Sequence, residues 1–128
     1  MKVDQTIPIL RIFDVAKAED FYLGFLGFNL DWKHQFEGVE PVYLQVSRDG
    51  LVLHLSEHHG DGTPGSVVYL CVTGLADFHR EISSKGYGYM KPGIGDSGHG
   101  SIEVCVTDPF GNSLRINEQV AQPGSTPS

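Results

Sequence analysis

Two short stretches of this chain repeat one another. Residues 19–21 read Glu-Asp-Phe and residues 76–78 read Ala-Asp-Phe, each inside a run with helical apolar spacing that stops at a glycine, Gly27 and Gly86 respectively. Further on, the strand-like run around Leu53 matches the run around Leu114. The three matches lie 57, 59 and 61 residues apart, a drift of the size that short insertions produce. A chain of 128 residues that repeats with this spacing is one unit made twice. That requirement restricts the fold more than composition does, because both copies must bury the same face.

The first copy opens on "TIPILRIF", an extended run. "DVAKAEDFYLGFLGF" follows, in which Asp14 is placed to cap a helix whose Ala18, Phe21, Tyr22 and Phe25 share one face. Three strands are expected next, around "LDWKHQF", "PVYLQVS" and "LVLHLSE", the last two joined by the hairpin-type turn "SRDG". The second copy repeats the order. "SVVYLCVTG" is its strand and "LADFHREISSKGY" its helix, with Leu75, Phe78 and Ile82 on the apolar face and Lys85 before the stop glycine. The glycine-rich "KPGIGDSGHG" reads as a flexible loop, and "SIEVCVT" and "SLRINE" as strands joined by the turn "DPFGN". The expected fold is α+β, two β-α-β-β-β modules over residues 5–58 and 66–119 in one domain spanning 1–121. The Pro/Gly/Ser-rich residues 122–128 are expected to be a flexible tail.

Each module's sheet has one face for its helix, and pairing the two sheets would make the other faces into a curved, half-polar cup. Alternation along the strands assigns the faces. Leu51, Leu53 and Leu55 point to the helix, which turns His54 toward the cup; Tyr43, Gln45 and Ser47 share that side. In the second module Leu114 and Ile116 are apolar, which leaves Ser113, Arg115 and Asn117 for the open face, with Glu103 beside them.

Charge excludes some partners. The sequence carries 16 acidic against 9 basic residues, a formal net charge of −7. No Lys/Arg cluster is present to neutralise a phosphate backbone, so nucleic acid is not expected. An acidic surface favours cationic ligands. No run approaches the roughly 18 apolar residues of a membrane span, and "MKVDQTIPIL" lacks the features of a secretory signal, so the expected location is the cytoplasm. Cys71 and Cys105 lie in strand-like runs and outside any C-x-x-C pair, which predicts buried free thiols.

Chemistry-bearing patterns are few. There is no G-x-S-x-G elbow and no G-K-[ST] after the glycine-rich loop. "GLVLHLSEHH" (residues 50–59) is the one segment that suggests a metal, yet a single strand histidine does not hold zinc, which takes three or four protein ligands. A non-standard site would need His54, Glu103 and a third residue. His58 and His59 fall past the strand and read as a solvated loop.

"DVAKAEDFYLGFLGF", "LVLHLSEHHGD" and "VTDPFGNSLRINE", in this order and spacing, resemble the vicinal oxygen chelate superfamily. That group includes glyoxalase I, extradiol dioxygenases and bleomycin-resistance proteins, and the similarity is greatest to the last of these. The resemblance covers about residues 5–119 and implies the cupped fold, commonly as a homodimer with its first strand exchanged; Pro8 suits an edge strand. Enzymes of the group hold a divalent metal with His or Glu from the first and last strands of the modules. The matching places here are Ile7, Val67 or Val68, and Arg115. Three of the usual ligand positions are thus aliphatic or cationic, which implies no metal, no cofactor and no catalysis.

What remains implied is sequestration of a bleomycin-type glycopeptide, or another cationic and aromatic small molecule, in a cleft shared by two copies. By the match around "LGFNLDW" and "FEG", Asp31, Trp32, Phe36 and Glu37 are candidate ligand contacts, joined by Tyr43, His54, Glu103 and Arg115. His99 stands where close relatives carry a stacking aromatic. The alternatives are a metal-dependent lyase or dioxygenase of the same fold, and a small-metabolite-binding protein.

Overall fold

The structure, a computed structural model, describes residues 1–35, 41–88, 93–96 and 100–119. The chain forms two compact units. The first comprises Met1–Ser66 with Asp108–Asn112, and the second Val67–Thr107 with Ser113–Ser128.

In the first unit, β1 (Ile9–Arg11) leads into a helix, followed by β2 (Asn29–Gln35), β3 (Val42–Arg48) and β4 (Leu51–Ser56). The sheet order is β1-β4-β3-β2. The first strand is shorter than "TIPILRIF" suggests, and it runs parallel to the chain's own β4, with Ile9 opposite His54. Asp14 does cap α1 (Val15–Glu19): its carboxylate accepts the Lys17 N–H at 2.9 Å. The helix then widens into a π-helical stretch, Asp20–Phe25, with the Leu26 N–H donating to the Phe21 carbonyl five residues back. A regular α-helix was the expectation. The wider turn seats the consecutive Phe21 and Tyr22 both in the core, each at most 1% exposed, with ring centroids 5.0 Å apart. Leu44, Val46, Leu53 and Leu55 of the sheet are fully buried with them. β3 and β4 are joined by Asp49 (φ 51°) and Gly50 (φ 91°), the two left-handed residues that a tight hairpin turn matching strand twist requires.

The second unit repeats this. β5 (Val67–Cys71), α2 (Leu75–Ser83), β6 (Ile94–Asp96), β7 (Ser101–Thr107) and β8 (Ser113–Gln119) make a sheet of order β5-β8-β7-β6. The two orders are the same once each unit is numbered from its own first strand, and β5 is parallel to β8 as β1 is to β4. Part of the glycine-rich segment read as a loop is therefore strand, since β6 pairs antiparallel with β7. Leu75, Ile82, Val104, Val106, Leu114 and Ile116 form the core. Gly74 (φ 83°) has no side chain to cap α2; instead the Glu118 carboxylate of β8 accepts the Gly74 and Leu75 N–H groups at 3.2 and 3.0 Å.

Two expectations fail in this unit. Cys71 and Cys105 are exposed free thiols, because their strand positions turn them to the face that α2 does not cover. Asn117 does share the face of Cys71 and Glu103, as expected, yet that position is not open: it is buried, its amide donating to the Arg115 carbonyl.

The turn "DPFGN" belongs to the first unit although it joins strands of the second. One carboxylate oxygen of the buried Asp108 accepts the Phe110 and Asn112 N–H groups, both at 2.8 Å. The other accepts the Tyr22 hydroxyl at 2.7 Å and the Asn112 side-chain amide at 3.0 Å. The same amide also donates to the Arg11 carbonyl at 2.8 Å, and Asn112 Oδ1 accepts the Ser66 N–H at 3.2 Å. Burial first, and Asp108 second, push the Tyr22 hydroxyl well above its ordinary titration range. The motif is a buried polar network with every partner in place, as well as a turn.

Candidate functional site

The open face of the first sheet carries the most concentrated chemistry among the described residues. Pairing across strands assembles it: His54 of β4 lies opposite Gln45 of β3, Gln45 opposite Trp32 of β2, and Tyr43 opposite His34. Strict alternation would put neighbours Asp31 and Trp32 on opposite faces. A register shift between Leu30 and Trp32 interrupts the alternation there. Asp31 can then hydrogen-bond to Gln45 and Ser47 while Trp32 stacks on Tyr43, both on the same side.

The rings form one group. Trp32 and Tyr43 are parallel to within 10°, centroids 5.9 Å apart. His54 meets the edge of both, at 5.2 and 5.1 Å, and His34 lies edge-on to Trp32 at 5.0 Å. Trp32, Tyr43 and His54 are half-buried. This leaves aromatic surface partly open to a ligand, on which a flat or cationic group can stack.

A hydrogen-bond chain runs beneath. The Tyr43 hydroxyl is 2.7 Å from His54 Nδ1, and His54 Nε2 is 2.9 Å from Gln45 Oε1. Gln45 Nε2 donates to Asp31 Oδ2 at 3.1 Å, and the Ser47 hydroxyl donates to Asp31 Oδ1 at 3.0 Å. Desolvation lowers the pKa of His54 below its ordinary value of 6.5, favouring the neutral ring. Tyr43 is raised, by desolvation first and by the charge of Asp61 second. Asp61 is held near the end of β4 by the Ser56 hydroxyl at 2.8 Å.

Of the sequence candidates, Asp31, Trp32, Tyr43 and His54 thus come together. Phe36, Glu37 and His99 lie outside the described residues. Glu103 and Arg115 belong to the second unit and engage each other fork to fork, at 2.9 and 3.3 Å, with the guanidinium 5.7 Å from the Tyr69 ring centroid. The Arg115 hydrogen bond, above all, holds the Glu103 carboxyl below its usual range. Sequence reasoning passed over three members of the ring group and its chain. His34 was signalled by its position two residues from Trp32 on a strand. Gln45 was placed on the correct face and given no role. His58, read as solvated, is half-buried with its ring 6.2 Å from that of Tyr43.

A divalent metal does not fit these residues. Both His54 ring nitrogens are occupied in hydrogen bonds, so ligation would have to break one. His54 pairs with Ile9 in the first unit, and at the equivalent place in the second Arg115 pairs with Tyr69. The first-strand neighbours on these open faces are Ile9, Val67 and Tyr69. Val68, offered above as a ligand position, is opposite the buried Leu114 and turned the other way. Among the described residues no three His, Cys, Asp or Glu side chains group to hold an ion.

A family model described as "Glyoxalase superfamily protein" matches residues 1–123. No curated protein matches the chain. Solved structures do. A bleomycin-binding protein complexed with bleomycin is 24% identical, with 91% of this chain and 99% of that one covered and a TM-score of 0.67. An antibiotic binding protein from Streptomyces sp. CB03234 is 22% identical, covering 93% and 98%, TM-score 0.69. A glyoxalase-related enzyme from Clostridium phytofermentans is 19% identical, covering 94% and 98%, TM-score 0.74. At these identities the similarity establishes the α+β fold of two four-stranded mixed sheets, which binders and enzymes share.

Proposed function

The chain belongs to the glyoxalase superfamily, and from that membership we propose that it sequesters an aromatic, cationic small molecule of the bleomycin glycopeptide type without converting it. The observation that carries this reading is the half-buried Trp32–Tyr43 stack, edged by a His54 whose two nitrogens are already engaged. Such a surface offers stacking area and acceptors to a ligand, and among the described residues no three metal donors group together there. The net charge of −7 favours a cation over an anion at the same rings. Phe36, Glu37 and His99 enter the ligand surface on the resemblance alone.

In this reading the protein acts as a homodimer with a shared cleft. On the open face of the second sheet Val67 and Tyr69 are 60% and 57% exposed beside the Glu103–Arg115 pair, a mixed apolar and charged surface that a second copy would cover. Sedimentation at micromolar concentration is expected to give a dimer.

Trp32 is the sole tryptophan, so binding is directly readable. Titrating bleomycin is expected to quench its fluorescence, with matching heat in calorimetry. Trp32→Ala is expected to weaken binding by about tenfold or more, the range for a central aromatic contact. Unchanged emission together with no calorimetric heat at micromolar drug would remove the proposal.

A further inference from the structure

We propose that the Tyr43–His54–Gln45–Asp31 chain fixes the hydrogen-bonding polarity of the site, so that Tyr43 presents an acceptor oxygen and selects ligands placing an N–H donor, an amine or ammonium, beside the stacked rings. This rests on the binding role proposed above and assigns the chemical group that binding would select.

The direction of the chain follows from its far end. A carboxylate only accepts, so Asp31 must be met by the Gln45 amide nitrogen and by the Ser47 hydroxyl proton. The Gln45 oxygen is then the atom facing His54 Nε2 at 2.9 Å. That oxygen needs a donor, so the proton of the neutral imidazole sits on Nε2 and Nδ1 is the acceptor. Tyr43, 2.7 Å from Nδ1, must point its own proton at the ring. What its oxygen retains for a ligand is lone pairs. Donors satisfy them; a carbonyl or ether oxygen placed there meets like charge. Gln45 is a positioning residue in this arrangement, acting through His54 on an atom it does not touch.

The directionality can be read without any ligand. Ring nitrogen chemical shifts of His54 are expected to show the Nε2–H tautomer in the full-length protein. Gln45→Met, which keeps the side-chain length and removes the oxygen, is expected to shift it toward a tautomer mixture. Selectivity is then read with a neutral matched pair, 1-aminonaphthalene and 1-methoxynaphthalene, so that the protein's charge does not decide the result. The amine is expected to bind several-fold more tightly, up to about tenfold for one hydrogen bond. Tyr43→Phe is expected to abolish the preference while both compounds still bind, and Gln45→Met to reduce it. An Nδ1–H tautomer in the unmodified protein, or equal affinities for the pair, overturns the polarity assignment even if bleomycin binds. Binding of neither naphthalene nor bleomycin, with the Nε2–H tautomer in place, overturns the binding role instead.

Discussion

His54 draws its behaviour from the residues facing it. Tyr43 and Gln45 hold its nitrogens, Trp32 covers an edge, and desolvation lowers its pKa from 6.5. Between the lowered folded value and 6.5 the unfolded chain binds more protons than the folded one. Its contribution to stability is therefore complete above 6.5 and is lost as pH falls through the folded value. Protonation would also turn Nδ1 into a donor and place a cation beside the rings. Calorimetric affinity for a cationic ligand is accordingly expected to fall from about pH 8 to about pH 5, with a midpoint below the ordinary histidine value. His54→Gln should flatten that profile. Asp108 is the counterpart in the protein interior. Asp108→Ala leaves the Tyr22 hydroxyl, two backbone N–H groups and the Asn112 amide short of a partner, and is expected to cost at least about 2–3 kcal/mol in urea unfolding.

The two helices solve the problem of orphan N–H groups differently. Asp14 caps α1 from the adjacent residue, so that cap is visible in the local sequence. α2 begins at a glycine and receives its carboxylate from Glu118, more than forty residues on. Asp14→Ala should cost about 1 kcal/mol. Glu118→Ala should cost as much or more, and amide exchange should show the difference: the first turn of α2 frays, whereas the first unit stays protected. The π-helical stretch was equally hidden. Apolar residues at 18, 21, 22 and 25 satisfy ordinary helical spacing, and only the packing of three aromatic rings under one sheet selects the wider turn.

On the scale of the whole molecule, a net charge of −7 acts on any ligand before contact. The association rate of a cationic ligand is expected to drop as salt rises from about 0.05 to about 0.5 M, with dissociation changing less, in stopped-flow traces of Trp32 emission. No helix among the described residues is long and apolar enough to cross a membrane. The repeated strand order, β1-β4-β3-β2 and β5-β8-β7-β6, also places His54 and Arg115 at equivalent points of their units. The 61-residue spacing of Leu53 and Leu114 had already implied as much.

The sequence by itself determined the doubled α+β unit, the faces of β3, β4 and β8, the Asp14 cap and the turns. The doubling follows from matches 57 to 61 residues apart, and the others from spacing within a few residues, where side-chain period and backbone conformation are set locally. Tertiary structure decided the rest. The bulge that brings Asp31 and Trp32 to one face, the place of Gln45 between His54 and Asp31, the half-buried place of His58 beside Tyr43 and the exposure of both cysteines depend on which strands lie side by side and which face a helix covers. A chain of hydrogen bonds that crosses three strands has no signature along any one of them, because its partners are neighbours only after the sheet has formed.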